Sequence, residues 1–179
     1  MLFYLAGAIE YAPDKGKAWR EKLTPALRSL GCDVYDPAQD EQKNLTDDER
    51  EHFRSWKSAD LPRFQRTIRK IIDWDIEWIT RRADAIIVYW DEYAGRGAGT
   101  SGELTAAYRY GKPVYLVAGV PVDKISGWIL GCCTQVFTSF DDLQAHLIKL
   151  MAQQPADEPC ACCASREDSS AIAAGQSSG

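Results

Sequence analysis

The sequence predicts an α/β fold, a single domain in which a parallel β-sheet is flanked by helices. Three observations lead there. Short β-branched or apolar runs alternate with stretches of helical periodicity. The segment Ala85 to Trp90 is apolar throughout, as a strand covered on both faces must be. The 179 residues, 45% of them hydrophobic, suffice for one core and are too few for two ordinary domains.

In chain order, Phe3 to Ala6 reads as a buried first strand ending at Gly7. Trp19, Leu23, Ala26, Leu27 and Leu30 then repeat at helical spacing from Lys15 to Leu30, and Gly31 supplies the stop. Cys32 to Tyr35 is a second strand, broken by Asp36-Pro37. Gln39 to Lys57 is polar and is expected to be a loop with a short helix that adds little core. Pro62 opens a long helix to Arg82, with Phe64, Ile68, Ile71, Ile72, Ile76 and Ile79 as its buried stripe. After the strand Ala85 to Trp90 come the glycine-rich segment Gly95 to Gly102, a helix from Leu104 to Tyr110, and a strand from Pro113 to Val117. Gln135 to Thr138 and Leu143 to Ala152 complete the domain, residues 1–152. Residues 153–179 turn to Ala, Ser, Gly, Pro and acidic residues without periodicity, and are read as a disordered low-complexity tail.

Composition narrows the function. A net charge of −5 and a pI near 5.1 leave no footprint for duplex nucleic acid, although a local basic pocket for one phosphate is compatible with both. The start lacks a basic segment and a small-residue cleavage site, and the apolar runs fall far short of the ~20 residues of a membrane helix. A soluble, cytoplasmic protein is expected. The cysteines, Cys32, Cys132, Cys133, Cys160, Cys162 and Cys163, form no paired CxxC motifs and are accompanied by only two histidines. Reduced thiols fit better than a zinc site, and no metal is expected.

Ligands of open α/β sheets bind beyond the carboxyl ends of the strands, where Gly7 to Glu10, Asp36 to Asp40 and Asp91 to Glu103 converge. The last is the most informative, since GRGAGTSGEL sets Gly95, Gly97, Gly99 and Gly102 before a helix whose first turn should carry Glu103. Backbone amides around Gly99 and Thr100 can face a sugar or phosphate. The loop lacks the Gly-Lys-Ser/Thr ending of a Walker A motif and follows a late strand, which argues against a dinucleotide fold. A first-turn carboxylate can simply complement the helix dipole. A second acid shifts the balance: Asp75, three residues after Ile72 and four after Ile71, borders the apolar stripe, whereas Asp73 and Glu77 point away. Two carboxylates on one pocket are the minimum for cleaving a glycosidic bond through an oxocarbenium-like transition state, with their pKa values set apart.

Together, YLAGAI (Tyr4 to Ile9), D-I-E-W-I followed by R-R-A-D (Asp75 to Asp84), and GTSGEL-TAA with GKPV (Gly99 to Val114) resemble the nucleoside 2-deoxyribosyltransferase superfamily, which includes the 2'-deoxynucleoside 5'-phosphate N-hydrolases. The resemblance spans roughly Met1 to Val120. It implies a flavodoxin/Rossmann-like fold, a homo-oligomer whose subunits complete one another's sites, no metal or organic cofactor, and a role in nucleotide salvage. It assigns Glu103 as nucleophile and Asp75 as the helix acid near the base, with Tyr4 and Gly7 lining base and sugar.

Two departures stand out. Where transferases commonly carry Asp and the phosphate-dependent hydrolases Ser, six residues before the nucleophile, this chain has Gly97, with Asp91 nearby but out of register. The interval from Asp75 to Asp84 is one residue longer than in the hydrolases. Arg96 is a candidate phosphate ligand or else a solvated loop cation. Asp36, Gln39 and the polar insertion are candidates for base selection. The loop from Arg96 to Glu103 is also similar to the GGxGTxxE loop of lysine-decarboxylase-like phosphoribohydrolases, whose longer first-strand motif is missing here. A non-catalytic nucleotide-binding sensor would have no need of an attacking carboxylate.

Overall fold

The computed structural model describes residues 1–40 and 45–153; the tail and its three cysteines lie outside the described residues. Five parallel strands, β1 (Leu2–Gly7), β2 (Asp33–Tyr35), β3 (Ala85–Trp90), β4 (Val114–Ala118) and β5 (Gln135–Phe137), pair in the order β2-β1-β3-β4-β5. The helices are α1 (Lys17–Ser29), α2 (Asp47–Ala59), α3 (Leu61–Glu77), α4 (Gly99–Arg109), α5 (Gly127–Cys132) and α6 (Phe140–Gln153).

Strand alternation explains the two faces. Phe3, Leu5, Ala85, Ile87, Tyr115 and Val117 point to one side, where Leu23 and Leu27 of α1 and Leu143 and Leu147 of α6 cover them. Tyr4, Ala6, Ile86, Val88, Val114 and Leu116 point to the other, against Leu104 and Ala107 of α4 and Ile129 of α5. The three central strands, β1, β3 and β4, are therefore buried on both faces, which is why their runs read as apolar rather than alternating. The β1–β3 register is clamped at its start by Asp84, whose carboxylate accepts from the Leu2 amide at 2.7 Å while its own amide donates to the Leu2 carbonyl at 2.9 Å.

Three expectations are corrected. The polar insertion holds a full helix, α2, started by a capping box between Thr46 and Glu49. Its Phe53 and Trp56 are buried, Phe53 stacking on Phe64 and Trp56 lying under the Arg63 guanidinium, so the insertion builds its own small core with α3. Thr67 and Lys70 of α3 both donate to the Glu49 carboxylate, and the Lys70 hydrogen bond, followed by that of the Thr46 amide, draws the Glu49 pKa down to about 2.

The long helix is α3 followed by a single π turn, Trp78–Arg82, closed by the Ala83 amide on the Trp78 carbonyl at 2.8 Å. An i to i+5 bond accommodates one more residue than an α turn. The predicted stripe is only partly buried: Ile79 is enclosed, but Ile72 is 51% exposed. The main partner of α3 is α2 rather than a strand. Finally, α4 begins at Gly99, not Leu104, so Gly99 and Gly102 are helical and Glu103 lies beyond the first turn, where a pure dipole role loses force. No helix among the described residues is long and apolar enough to cross a membrane.

Candidate active site

The strand order reverses direction between β1 and β3, and in sheets of this order the crevice at that point is the expected ligand position. A cleft of about 770 Å³ opens there. Its floor and one wall come from Gly7 to Glu10 after β1 and from Gly97, Ala98, Gly99, Thr100 and Glu103 at the start of α4. The opposite wall is α3, which presents Asp75, Ile71, Ile68 and Phe64 at intervals of four, three and four residues. Of the three neighbouring helix acids, Asp75 lines the cleft, while Asp73 is exposed and Glu77 pairs with Arg82 at 2.7 Å.

Glu103 and Asp75 thus share one cleft, brought from helices on either side of it. Behind Glu103 stands Tyr4, whose hydroxyl donates to Oε1 at 2.6 Å. Tyr4 is 0% exposed and holds the carboxylate from behind the cleft surface. Burial first, then the charges of Glu103 and Asp75, push the phenol well above its usual range. It therefore remains a proton donor throughout the pH range in which a carboxylate titrates. A bond of this kind to a charged group contributes about 1.5–3 kcal/mol. Tyr4→Phe is expected to fold and to lose about 10- to 150-fold in kcat, with a smaller change in KM, read from base-release kinetics.

A second layer supports this one. The Tyr4 and Tyr35 rings meet at 5.4 Å, and Tyr35 stacks on Trp78 of the π turn at 3.8 Å. The Tyr35 hydroxyl at 2.6 Å and the Trp74 indole at 2.7 Å both donate to Asp40 Oδ2, fixing a carboxylate on the cleft rim that sequence reasoning did not single out.

Gly7, Gly97, Gly99 and Thr100 line the cleft as the sequence suggested. At Gly97 a Cβ would stand 3.3 Å from the Tyr11 ring, so this position is closed in by an aromatic side chain. Three other candidates are placed off the cleft. Asp36 pairs with the buried Arg20 at 3.3 Å and borders a separate shallow depression with Gln39. Asp91 caps the turn after β3, accepting from the Tyr93 and Ala94 amides. Arg96 is exposed, with its guanidinium over Tyr93. A loop carboxylate has local backbone donors within reach, which competes with any ligand role.

The structure also adds residues that the sequence reading missed. Lys15, Arg50, Arg54 and Lys57 line the cleft, the last three on one face of α2. Their spacing was visible, but charges on a polar helix read by default as solvent-facing. Among the described residues, no group of three or more His, Cys, Asp or Glu side chains could hold a metal ion, and Cys32, Cys132 and Cys133 are free thiols.

The family model for nucleoside 2-deoxyribosyltransferase matches residues 3–144. No protein of curated function matches by sequence. Among solved structures, the chain is similar to the 2-deoxyribosyltransferase of the psychrotolerant bacterium Bacillus psychrosaccharolyticus, at 19% identity over 84% of this chain and 96% of that one, with a TM-score of 0.58. It is also similar to the 2-deoxyribosyltransferase of Leishmania mexicana, at 19% identity, 83% and 97% coverage and a TM-score of 0.52. A CMP N-glycosidase of Clostridium botulinum follows at 15% identity, 84% and 99% coverage and a TM-score of 0.50. At these identities the structural likeness establishes the shared fold.

Proposed function

The chain belongs to the nucleoside 2-deoxyribosyltransferase family, and from that premise we propose that it cleaves or exchanges the N-glycosidic bond of a 2'-deoxynucleoside or its 5'-monophosphate, with Glu103 as the attacking carboxylate. The observation that carries this reading is the Tyr4–Glu103 hydrogen bond at the floor of a cleft that Asp75 also lines. A carboxylate held by a neutral phenol is oriented for attack on C1' of the sugar.

In the proposed reaction the Glu103 oxygen forms a bond to C1' as the bond from C1' to the base nitrogen breaks, its electron pair leaving with the base. Asp75 supplies the proton that the departing base takes up. The resulting glycosyl ester is then opened at C1' by water, giving the free sugar, or by a second base, giving exchange. The residue that accepts a proton from the incoming water or base is the same carboxylate, by microscopic reversibility. Glu103 lying beyond the first turn of α4 supports this role, since the simple dipole-complementing reading applies to the first turn.

The test is a substrate panel: deoxynucleosides, their 5'-monophosphates and the ribo counterparts, each with and without a free acceptor base, followed by chromatography. Base release or exchange confined to the deoxy compounds is the expected result. Absence of release from every member, with binding retained, would favour a nucleotide sensor.

A further inference from the structure

We infer that Lys15 and Arg54 form an anion clamp at the cleft and that it selects the 5'-monophosphate over the free nucleoside. This rests on the glycosidic reading above and narrows its substrate.

Four cations line the cleft. Two of them are engaged: Arg50 pairs with Asp47 at 3.1 Å and Lys57 with Glu10 at 3.3 Å. Lys15 and Arg54 have no carboxylate partner among the described residues, and the Arg54 guanidinium rests 4.7 Å over the Phe53 ring. The two residues come from opposite sides. Lys15 belongs to the segment between β1 and α1, and Arg54 to α2, one turn before Lys57. The Lys57–Glu10 ion pair shows that these two walls approach within the length of one side-chain pair.

A second, independent observation concerns the backbone. Lys15 has φ of +58°, the only non-glycine residue among those described with positive φ. Glycine takes this conformation with less strain than lysine, and residues held there against their preference cluster at ligand clamps. Turn geometry alone would be satisfied by glycine, so the lysine side chain needs a separate reason to be on the cleft. Two cations also match the charge of a phosphate monoester, which is close to −2 at neutral pH. A free nucleoside offers them nothing to bind. In a chain of net charge −5, two unpaired cations facing one cleft are not a general surface property.

Calorimetry on the full chain separates the possibilities, using the four deoxynucleosides and their 5'-monophosphates as probes with wild type, Lys15→Gly and Arg54→Gln. Wild type is expected to bind at least one monophosphate about tenfold or more tightly than its nucleoside, the scale of one charge-assisted hydrogen bond. Each variant should reduce that ratio several-fold. Lys15→Gly should do so without lowering Tm, because glycine suits the backbone there; a merely structural lysine would not move the ratio. Equal binding of both forms by wild type, no binding of any monophosphate, or a ratio unchanged in both variants overturns the inference. Equal binding combined with base release leaves the glycosidic reading standing. Monophosphate preference without base release upholds the clamp and removes the glycosidic reading instead.

Discussion

Glu103→Gln is expected to fold normally and to lose base release by at least about 10³-fold, because removing an attacking group leaves only binding and positioning to accelerate the reaction. Gln keeps the side-chain volume and can still accept from the Tyr4 hydroxyl, now 2.6 Å from Oε1, so the surrounding packing has no cause to change. What it lacks is the negative charge that attacks C1' and stabilises a developing oxocarbenium ion. Steady-state kinetics with an unchanged urea midpoint would separate loss of chemistry from loss of fold. Asp75→Asn should also reduce kcat, and by less for substrates whose base leaves readily, since its proposed task is a proton on the departing base.

The largest expected effect on stability lies in a residue that never reaches the cleft. Arg20 is 0% exposed and ties together three segments that form the site. It donates to the Leu5 carbonyl and, at 3.2 Å, to the Gly7 carbonyl at the end of β1, donates to the Gly16 carbonyl at 2.8 Å, and pairs with Asp36 after β2. Burial lowers the guanidinium's pKa, opposed by the charges of Asp36 and Glu103. Gly16 belongs to the same arrangement. It has φ of +71°, and a Cβ there would overlap both the Arg20 guanidinium and the Ala8 carbonyl.

Arg20→Met keeps the aliphatic volume but leaves Asp36 and three carbonyls without their donor. Breaking a buried pair from one side costs about 3–5 kcal/mol. A fall of that size in the urea-extrapolated stability is the expected result, and a change below about 1 kcal/mol would show that the guanidinium is dispensable. Adding Asp36→Leu should recover part of the loss, since the stranded charge is then gone.

Much of the fold was legible because its determinants are local or strongly periodic. Strands buried on both faces cannot be other than apolar, and β3 was read to the residue. Other elements were hidden by what they pack against. Phe53 and Trp56 of α2 bury themselves on Phe64 and Arg63 of α3, so α2 shows the sequence mostly charge. The six residues of α5 are too few to display a period. The start of α4 was misplaced because Gly99 and Gly102 signal a loop, whereas here both are helical.

The candidate site divides in a similar way. Glu103, Asp75, Gly7 and Gly97 follow from motif and spacing and all line the cleft. Asp36, Asp91 and Arg96 sit in the right loops, yet the first two are committed to Arg20 and to a turn, and Arg96 is exposed outside the cleft lining. Proximity in the chain to a strand end did not reveal those competing partners. Lys15 and Arg54 were missed for the opposite reason, since only the three-dimensional arrangement turns two ordinary surface charges toward one space. The Tyr4 bond to Glu103 spans 99 residues of chain, a contact that no local pattern displays.

Whether Glu103 carries the sugar is read by mass spectrometry of wild-type protein quenched during turnover of a deoxynucleoside or its monophosphate and then digested. A deoxyribosyl adduct is expected on the peptide containing Glu103 and absent from Glu103→Gln. Base release by Glu103→Gln at the wild-type rate, or an adduct located on any other residue, would contradict it.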